Sequence, residues 1–575
     1  MRKRLPLALA LLLTSLLTTL QLTEGLKVLA FSGLMKSHAI AFVPVLEELQ
    51  ARGHTVVFGI PNDKEGRSWF ADRSSLTPLM QQVKIRHFSS AGDVKKSTAV
   101  DVKTLSFSEY LSLIVDTVVN YRRLVEDPMY SMDESVSSML ESEKPDVIFS
   151  SFLLFGVTEI LQRQTIPWVS FVHVPALAEF VTFEDDHGLN SRLPCAWLSP
   201  VTIQELKASF WARVKNQLAH IFCELWINHL VLPIFNSIRH DRYGATEDAG
   251  NFGDLTARPA PVQVALGGGP LTLPLSSSVP HTLHLVGALQ SSSEAAVDNS
   301  TLPAPLDEWL DTVGAAYGMV IYVGMGTQFV FTPKSCLAFT THTLQLLTKH
   351  KDFRVLWSLP QEQQDSLRQS CLDSFFYALQ DSSQVRLEAF VPQSQLLKHP
   401  SVRIFLSHCG WGGVTDAINA GVPVLAYPSR ADQFANAARL TESGAAILLQ
   451  ADFSNVLEAS EHMLSTITAF SKSVVHVREA MQRLGGLERV VKVIEAAQQG
   501  QLLEEPQELR DVRERADPFF ESSLPYHEAR QAAFCVLACV LLMASLFTIL
   551  SMLFLYKFLR FLFRSSCTKV ELKTE

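Results

Sequence analysis

Apolar residues along this chain follow two alternating rhythms. From Lys27 to Ser32 they run almost unbroken, as in a strand buried on both faces of a parallel sheet. Gly33 to Ser37 reads as a loop. From His38 to Ala51, Phe42, Val45, Leu46 and Leu49 return at helical spacing, and Gly53 stops the helix. Thr55 to Ile60 is again strand-like. The second half repeats the order, with strands expected at Val320 to Val323, Arg354 to Leu359, Val385 to Phe390, Arg403 to Ser407 and Val422 to Tyr427. Such alternation predicts an α/β protein whose parallel sheets carry helices on both faces. Between the halves, Gln290 to Pro305 is rich in Ser, Ala, Asn and Pro, the chemistry of a linker. The expectation is two doubly wound domains with a cleft between them, ligands lying at the carboxyl ends of the strands.

Both ends of the chain break this rhythm. Arg2, Lys3 and Arg4 precede an apolar run from Leu5 to Leu20 and then Thr23-Glu24-Gly25, the order of a secretory signal peptide cleaved after Gly25. A retained anchor is the alternative, although threonines interrupt the run. Ala532 to Tyr556 carries no charge across 25 residues, and as a helix it would rise about 37 Å against a bilayer core of about 30 Å. Lys557, Arg560 and Arg564 follow it at once, which predicts a cytosolic tail and a lumen-facing body.

Composition narrows the function classes. With 575 residues the chain exceeds one hydrophobic core, and with 47% hydrophobic and 19% charged residues it is globular. A net charge of −9 and no basic stripe exclude a nucleic-acid surface. Three of the eight cysteines, Cys535, Cys539 and Cys567, fall in the span or tail, and the others are too scattered for a disulfide framework or a zinc site. No metal or cofactor is implied. Asn299-Ser300-Thr301 is the single glycosylation sequon, at Asn299.

The richest chemistry runs from Phe390 to Asn436. Phe390-Val391-Pro392-Gln393 comes first. Ser407-His408-Cys409-Gly410-Trp411-Gly412-Gly413 then follows a strand and opens a helix expected from Val414 to Ala420. Ala431-Asp432-Gln433 closes the segment. Glycines let backbone N–H groups approach a ligand, and a helix N-terminus favours an anion, so a diphosphate is the natural guest. A tight turn alone would also explain such a loop. The whole ordered set, however, resembles the signature box of the UDP-glycosyltransferase family (glycosyltransferase family 1). The resemblance extends over nearly the entire chain, closest in layout to membrane-bound UDP-glucuronosyltransferases, while His408-Cys409-Gly410-Trp411 is more like the plant branch.

That resemblance implies the GT-B fold, two Rossmann-like domains facing a cleft, plus one C-terminal transmembrane helix. The implied division is a signal peptide at 1–25, an N-terminal acceptor-binding domain at 26–289, a linker at 290–305 and a C-terminal UDP-sugar-binding domain at 306–515. A juxtamembrane segment at 516–531, the transmembrane helix at 532–556 and the cytosolic tail at 557–575 complete it. The setting it implies is the endoplasmic reticulum or another secretory membrane. Partners are a UDP-sugar donor, which is a co-substrate, a small lipophilic acceptor, the membrane and a second copy of the chain in a homo-oligomer.

Carried over by position, Phe390 stacks on the uracil and Gln393 contacts the uridine. Thr327 touches the diphosphate, and His408 with the amides of Gly410, Trp411, Gly412 and Gly413 forms the phosphate cradle. Asp416 holds the ribose hydroxyls, and Asp432 with Gln433 grips the transferred sugar. Gly412 replaces a usual Asn and Asp416 a usual Glu. Arg430 stands where it could meet a glucuronate carboxylate, or it is merely exposed. Trp411 is either a donor contact or packing, and Cys409 is a buried filler.

His38 lies where the loop leaves the first strand, and a histidine near neutral pKa suits removal of an acceptor proton. The matching family residue is the catalytic base; a capping bond in the first helical turn is the alternative. The family orients that base with an Asp, and here Ser151 takes its place. Glu184, Asp185 and Asp186 are either a substitute carboxylate or a solvated acidic turn. Two functions follow: an inverting glycosyltransferase, or a catalytically impaired UDP-sugar or lipophile binder. The apolar runs Phe152 to Phe155, Phe210-Trp211 and Phe222 to Leu230 form core or line an acceptor pocket.

Overall fold

A computed structural model describes residues 25–72, 76–89, 132–174, 195, 201–251, 253–256, 259–271, 281–289, 302–315, 318–326, 329–370, 383–504, 528–540 and 542. The N-terminal lobe carries β1 (Lys27–Phe31), β2 (Thr55–Pro61), β3 (Lys84–Phe88), β4 (Val147–Ser151), β5 (Trp168–Val172), β6 (Val262–Ala265) and β7 (Leu283–Leu285). All are paired in parallel in the order β3-β2-β1-β4-β5-β6-β7. Apart from the edge strand β3, their residues are largely buried on both faces because helices cover them. Between β1 and β2, α1 (Lys36–Ala51) buries Ala39, Phe42, Val45, Leu46 and Leu49, the stripe its sequence spacing predicts.

Four further N-lobe and crossover features matter for the site. A short helix, α2 (Phe155–Leu161), follows β4, while α3 (Phe210–Trp226) and α4 (Leu232–Tyr243) join through a π-helical turn at Ile227–Val231. Phe210–Tyr243 is the one helix among the described residues long and apolar enough to cross a membrane, at 34 residues. Its second half instead packs Leu232, Phe235 and Ile238 into the lobe core. The apolar runs divide accordingly: Phe152 and Leu154 are core, whereas Trp211, Phe222 and Leu225 are exposed. Cys195 and Cys223 lie together, sulfurs 3.8 Å apart, which their wide sequence spacing had not suggested.

The C-terminal lobe repeats the plan. Its strands are β8 (Met319–Gly324), β9 (Phe353–Ser358), β10 (Val385–Glu388), β11 (Val402–Ser407), β12 (Val424–Ala426) and β13 (Ala446–Leu448), all parallel, in the order β10-β9-β8-β11-β12-β13. Helices α5 (Gln393–Lys398), α6 (Trp411–Ala420) and α7 (Gln433–Glu442) leave the carboxyl ends of β10, β11 and β12. Each strand expected from sequence is present, with ends shifted by no more than two residues.

A last long helix, α8 (Gly486–Gln498), returns to the N-terminal lobe. It packs on α1 and on β4, β5 and β6 through Val490, Val491, Val493 and Ile494. His54 Nε2 meets Glu495 Oε1 at 3.0 Å, and Arg439 Nη1 donates to the Leu271 carbonyl at 3.1 Å. Gly287, at φ 80°, is needed there, since a Cβ would stand 2.1 Å from the Met481 carbonyl oxygen. The two lobes thus share one continuous apolar cluster.

Residues 528–540 are helical and pack Ala529 and Ala533 against Val214 and Ile221 of α3, with Arg530 paired to Glu224 at 3.1 Å. This covers the start of the expected span. Its remainder, the signal peptide and the cytosolic tail lie outside the described residues.

Candidate active site

In each sheet the strand order reverses once, between β1 and β4 and between β8 and β11. A doubly wound sheet opens a crevice at such a point, because the crossovers on either side leave over opposite faces. The predicted chemistry falls on the carboxyl ends of β1 and β4 in one sheet and of β10, β11 and β12 in the other.

In the N-terminal lobe, β1 delivers the chain through Gly33 to His38 in the first turn of α1, where its backbone N–H donates to the Met35 carbonyl at 3.0 Å. The ring makes no capping bond; its Nδ1 is buried without a hydrogen-bond partner. A Cβ at Gly33 would stand 2.7 Å from that nitrogen, so only glycine fits beside it. Burial lowers the His38 pKa to about 4, leaving a neutral imidazole at physiological pH. Ser151, at the end of β4, bonds His173 instead, Oγ to Nε2 at 3.1 Å, a correction to its expected place as the partner of His38.

In the C-terminal lobe, His408 leaves β11 between two glycine-bearing loops. A Cβ at Gly326 would lie 2.6 Å from its ring, and one at Gly410 2.5 Å from its Nε2. Burial, and then the Arg430 guanidinium, push its pKa down to about 4. Gly410 caps α6, and no side chain bonds the cap, so the amides of Trp411, Gly412 and Gly413 have no intrahelical acceptor. At Gly412 a Cβ would meet nothing within 4 Å, which leaves open space over the helix N-terminus. Cys409 adopts φ 62° and is fully buried, as a filler. Trp411 packs into the core with Nε1 unpartnered, so its side chain takes the packing role.

Just beyond β10, Phe390 is 80% exposed, an accessible aromatic face. Gln393 opens α5 and donates through Nε2 to Asp416 Oδ2 at 2.7 Å, while Tyr322 OH donates to Gln393 Oε1 at 3.3 Å. After β12, Gln433 Oε1 accepts from Ser429 N, Ser429 Oγ and Arg430 N at 2.9–3.1 Å, which closes the turn holding Ala431 at φ 47°. Asn436 Nδ2 donates both to Asp432 Oδ2 at 2.9 Å and to the Cys409 carbonyl at 3.0 Å, tying the loop after β12 to the loop after β11. Desolvation raises the Asp432 pKa to about 6, opposed by Asn436 and Arg430. Arg430 is itself lowered by burial and raised by Asp432, so it sits among these groups and is not an idle surface charge.

Phe390, Gln393, His408, Gly410, Trp411, Gly412, Gly413, Asp416, Arg430, Asp432 and Gln433 thus share the carboxyl edge of one sheet, and His38 occupies the equivalent edge of the other. Thr327, Asn299 and Glu184, Asp185 and Asp186 lie outside the described residues. Sequence reasoning missed three groups. Asn436 stands four residues after Asp432, a helical neighbour spacing that could have found it. Tyr322 and His173 carried no local signal, being joined to the site only by the sheet. Among the described residues no group of three or more His, Cys, Asp or Glu could hold a metal. A cavity of about 210 Å³ between Trp168, Val262 and Ala497 opens at the amino ends of β5 and β6, away from this chemistry.

Comparison with known proteins agrees with this geometry. Residues 272–476 match the family model "UDP-glucoronosyl and UDP-glucosyl transferase". UDP-glucuronosyltransferase 2B7 of Homo sapiens is 24% identical over 438 residues, 72% of each chain. Flavonol 3-O-glucosyltransferase UGT89B1 of Arabidopsis thaliana is 32% identical over 135 residues, only 23% of this chain and 27% of that protein. Among solved structures, a glycotransferase of kitacinnamycin superposes with TM-score 0.53 at 16% identity, covering 82% of this chain and 99% of that one. Arabidopsis thaliana UGT89C1 complexed with UDP superposes at 0.50 and 18%, covering 85% and 100%. The solved structures show the fold, while the UDP-glucoronosyl and UDP-glucosyl transferase model matches residues 272–476 and the human alignment extends the similarity over most of the chain.

Proposed function

We propose that this protein is an inverting glycosyltransferase that moves a glucosyl or glucuronosyl group from a UDP-sugar to a hydroxyl of a small lipophilic acceptor. His38 takes the hydroxyl proton as the oxygen bonds the anomeric carbon, and the bond to the UDP phosphate breaks with its electron pair leaving on UDP. The amides at the start of α6 and His408 receive the negative charge of the departing diphosphate, with no metal required of the protein. Phe390 stacks on the base, Gln393 and Asp416 hold the uridine, and Asp432 with Gln433 orients the sugar. Thr327 completes the phosphate contacts, and Arg430 favours a donor carboxylate. In this reading residues 26–289 receive the acceptor and 306–515 the donor. Residues 532–556 anchor the chain, and the catalytic lobes face the lumen of a secretory membrane.

The observation that carries the reading is a neutral imidazole at one topological switch point with a glycine-lined helix N-terminus at the other. The relatives support the donor class: one is named a UDP-glucuronosyltransferase, and one was solved with UDP. The test is donor-dependent product formation, followed by mass spectrometry with UDP-glucuronate and UDP-glucose against a panel of phenols and sterols. Replacing His38 by Ala should abolish transfer while UDP still binds; near-normal turnover would remove His38 from the mechanism. A second reading, a binder without turnover, draws on the Ser151–His173 bond, since the residue in the place of the usual Asp is a serine turned to another ring. Binding of UDP-sugar with no product from any acceptor would favour it.

A further inference from the structure

His173 follows the last residue of β5 and is 3% exposed. Its ring is enclosed by Phe42, Phe152 and Phe171, with centroids 6.5, 5.4 and 5.8 Å away. On one side its Nε2 meets Ser151 Oγ at 3.1 Å. On another it lies against His38, ring centroids 4.3 Å apart and planes inclined at 45°. Gly33 also lies against the His38 ring, and its missing Cβ makes room for Nδ1. His38 therefore touches both the Gly33 backbone and a second imidazole, and that imidazole is itself held by a hydrogen bond.

We propose that His173, anchored by Ser151, is the positioning residue that sets the orientation of the His38 ring. The inference rests on His38 being the base. A carboxylate would do this through a hydrogen bond and would also stabilise the imidazolium; a ring contact orients without adding charge. The contact works only while both rings are neutral, since two adjoining imidazolium ions repel each other in a poorly solvated site. The groups facing the pair are Phe42 from α1, Phe171 from β5, Phe152 and Ser151 at the end of β4, and Gly33 after β1. None of these titrates, so among the described residues the two imidazoles are the titrating groups of this contact. Ser151 thereby acquires a role that its position in the chain did not reveal. It fixes the neighbour of the base rather than the base itself.

The full-length protein in detergent or native membranes provides the test. Carbethoxylation of His38 by diethyl pyrocarbonate, which attacks only unprotonated imidazole, is followed against pH by peptide mass spectrometry, alongside kcat, donor KM and UDP binding. In His173→Ala the His38 labelling midpoint should rise from near 4 toward 6.5 as water reaches the ring. There kcat should fall at least tenfold, with donor KM and UDP affinity within twofold. Ser151→Ala, a milder change that removes only the anchoring hydroxyl, should move both readouts in the same direction by less, and Ser151→Thr should restore them. An unchanged labelling curve and kcat in Ser151→Ala and His173→Ala would overturn the proposal. If the wild-type protein transferred no sugar, the base assignment would fall, while the labelling curves would still report whether His173 sets the state of His38.

Discussion

At the scale of single residues, the candidate site is governed by what each glycine leaves room for. Gly410 and Gly412 are two positions apart in one loop, yet only the first is forced by packing, since its Cβ would stand 2.5 Å from His408 Nε2. Gly410→Ala should therefore weaken UDP binding at least tenfold, and Gly412→Ala should leave it within twofold; calorimetric titration with UDP distinguishes them. Asp432 offers a pH test. Its folded-state pKa is raised from 3.8 to about 6, so the carboxyl is neutral below that value and charged above it. Only the charged form accepts from two sugar hydroxyls at once, so donor KM should rise as pH falls through about 6, and Asp432→Asn should flatten that dependence. These residues were legible from sequence because each belongs to a short ordered string after a strand. His173 was not, since one histidine after an apolar run has no meaning until its neighbours are known.

Among the elements, α8 shows how the two lobes are held in register. Its apolar face packs not on its own sheet but on α1 and the strands β4, β5 and β6 of the other lobe, close to the elements that carry His38 and Ser151. Ile494 is fully buried there. Ile494→Ala should cost about 2–5 kcal/mol by the usual cavity term, readable as a lowered urea midpoint. It should also reduce turnover more than UDP affinity, because the donor loops belong wholly to the C-terminal lobe. The amphipathic repeat of α8 could be read from sequence as a helix with one apolar stripe, but not its destination, since a stripe is the same whichever sheet it meets. The same holds for Phe210–Tyr243, whose length and apolarity suit a membrane and whose second half packs into a lobe core.

Over the whole molecule, three histidines buried at the two switch points tie stability to pH. His38 and His408 fall from 6.5 to about 4 in the folded protein, and His173, under burial and the nearness of His38, falls well below 6.5. Between pH 6.5 and 4 the unfolded chain takes up protons that the folded one refuses, so stability is present above 6.5 and lost as pH falls through that window. Each of the two shifts to about 4 is worth on the order of 3 kcal/mol when complete. The melting temperature should drop steeply between pH 6 and 4.5, and His408→Gln should soften the drop.

The strand–helix alternation, the glycine loop before α6 and the histidine beside β1 could all be read from the chain alone. Apolar runs, helical spacing and glycine act over a few residues, and local sterics carry them into structure unchanged. Which strand lies beside which is not local. The order β1-β4-β5 sets Ser151 and His173 beside His38, and the same order gives the serine to the second imidazole. Burial supplied by distant parts of the chain then sets the protonation of all three histidines, a quantity that no spacing along the sequence contains.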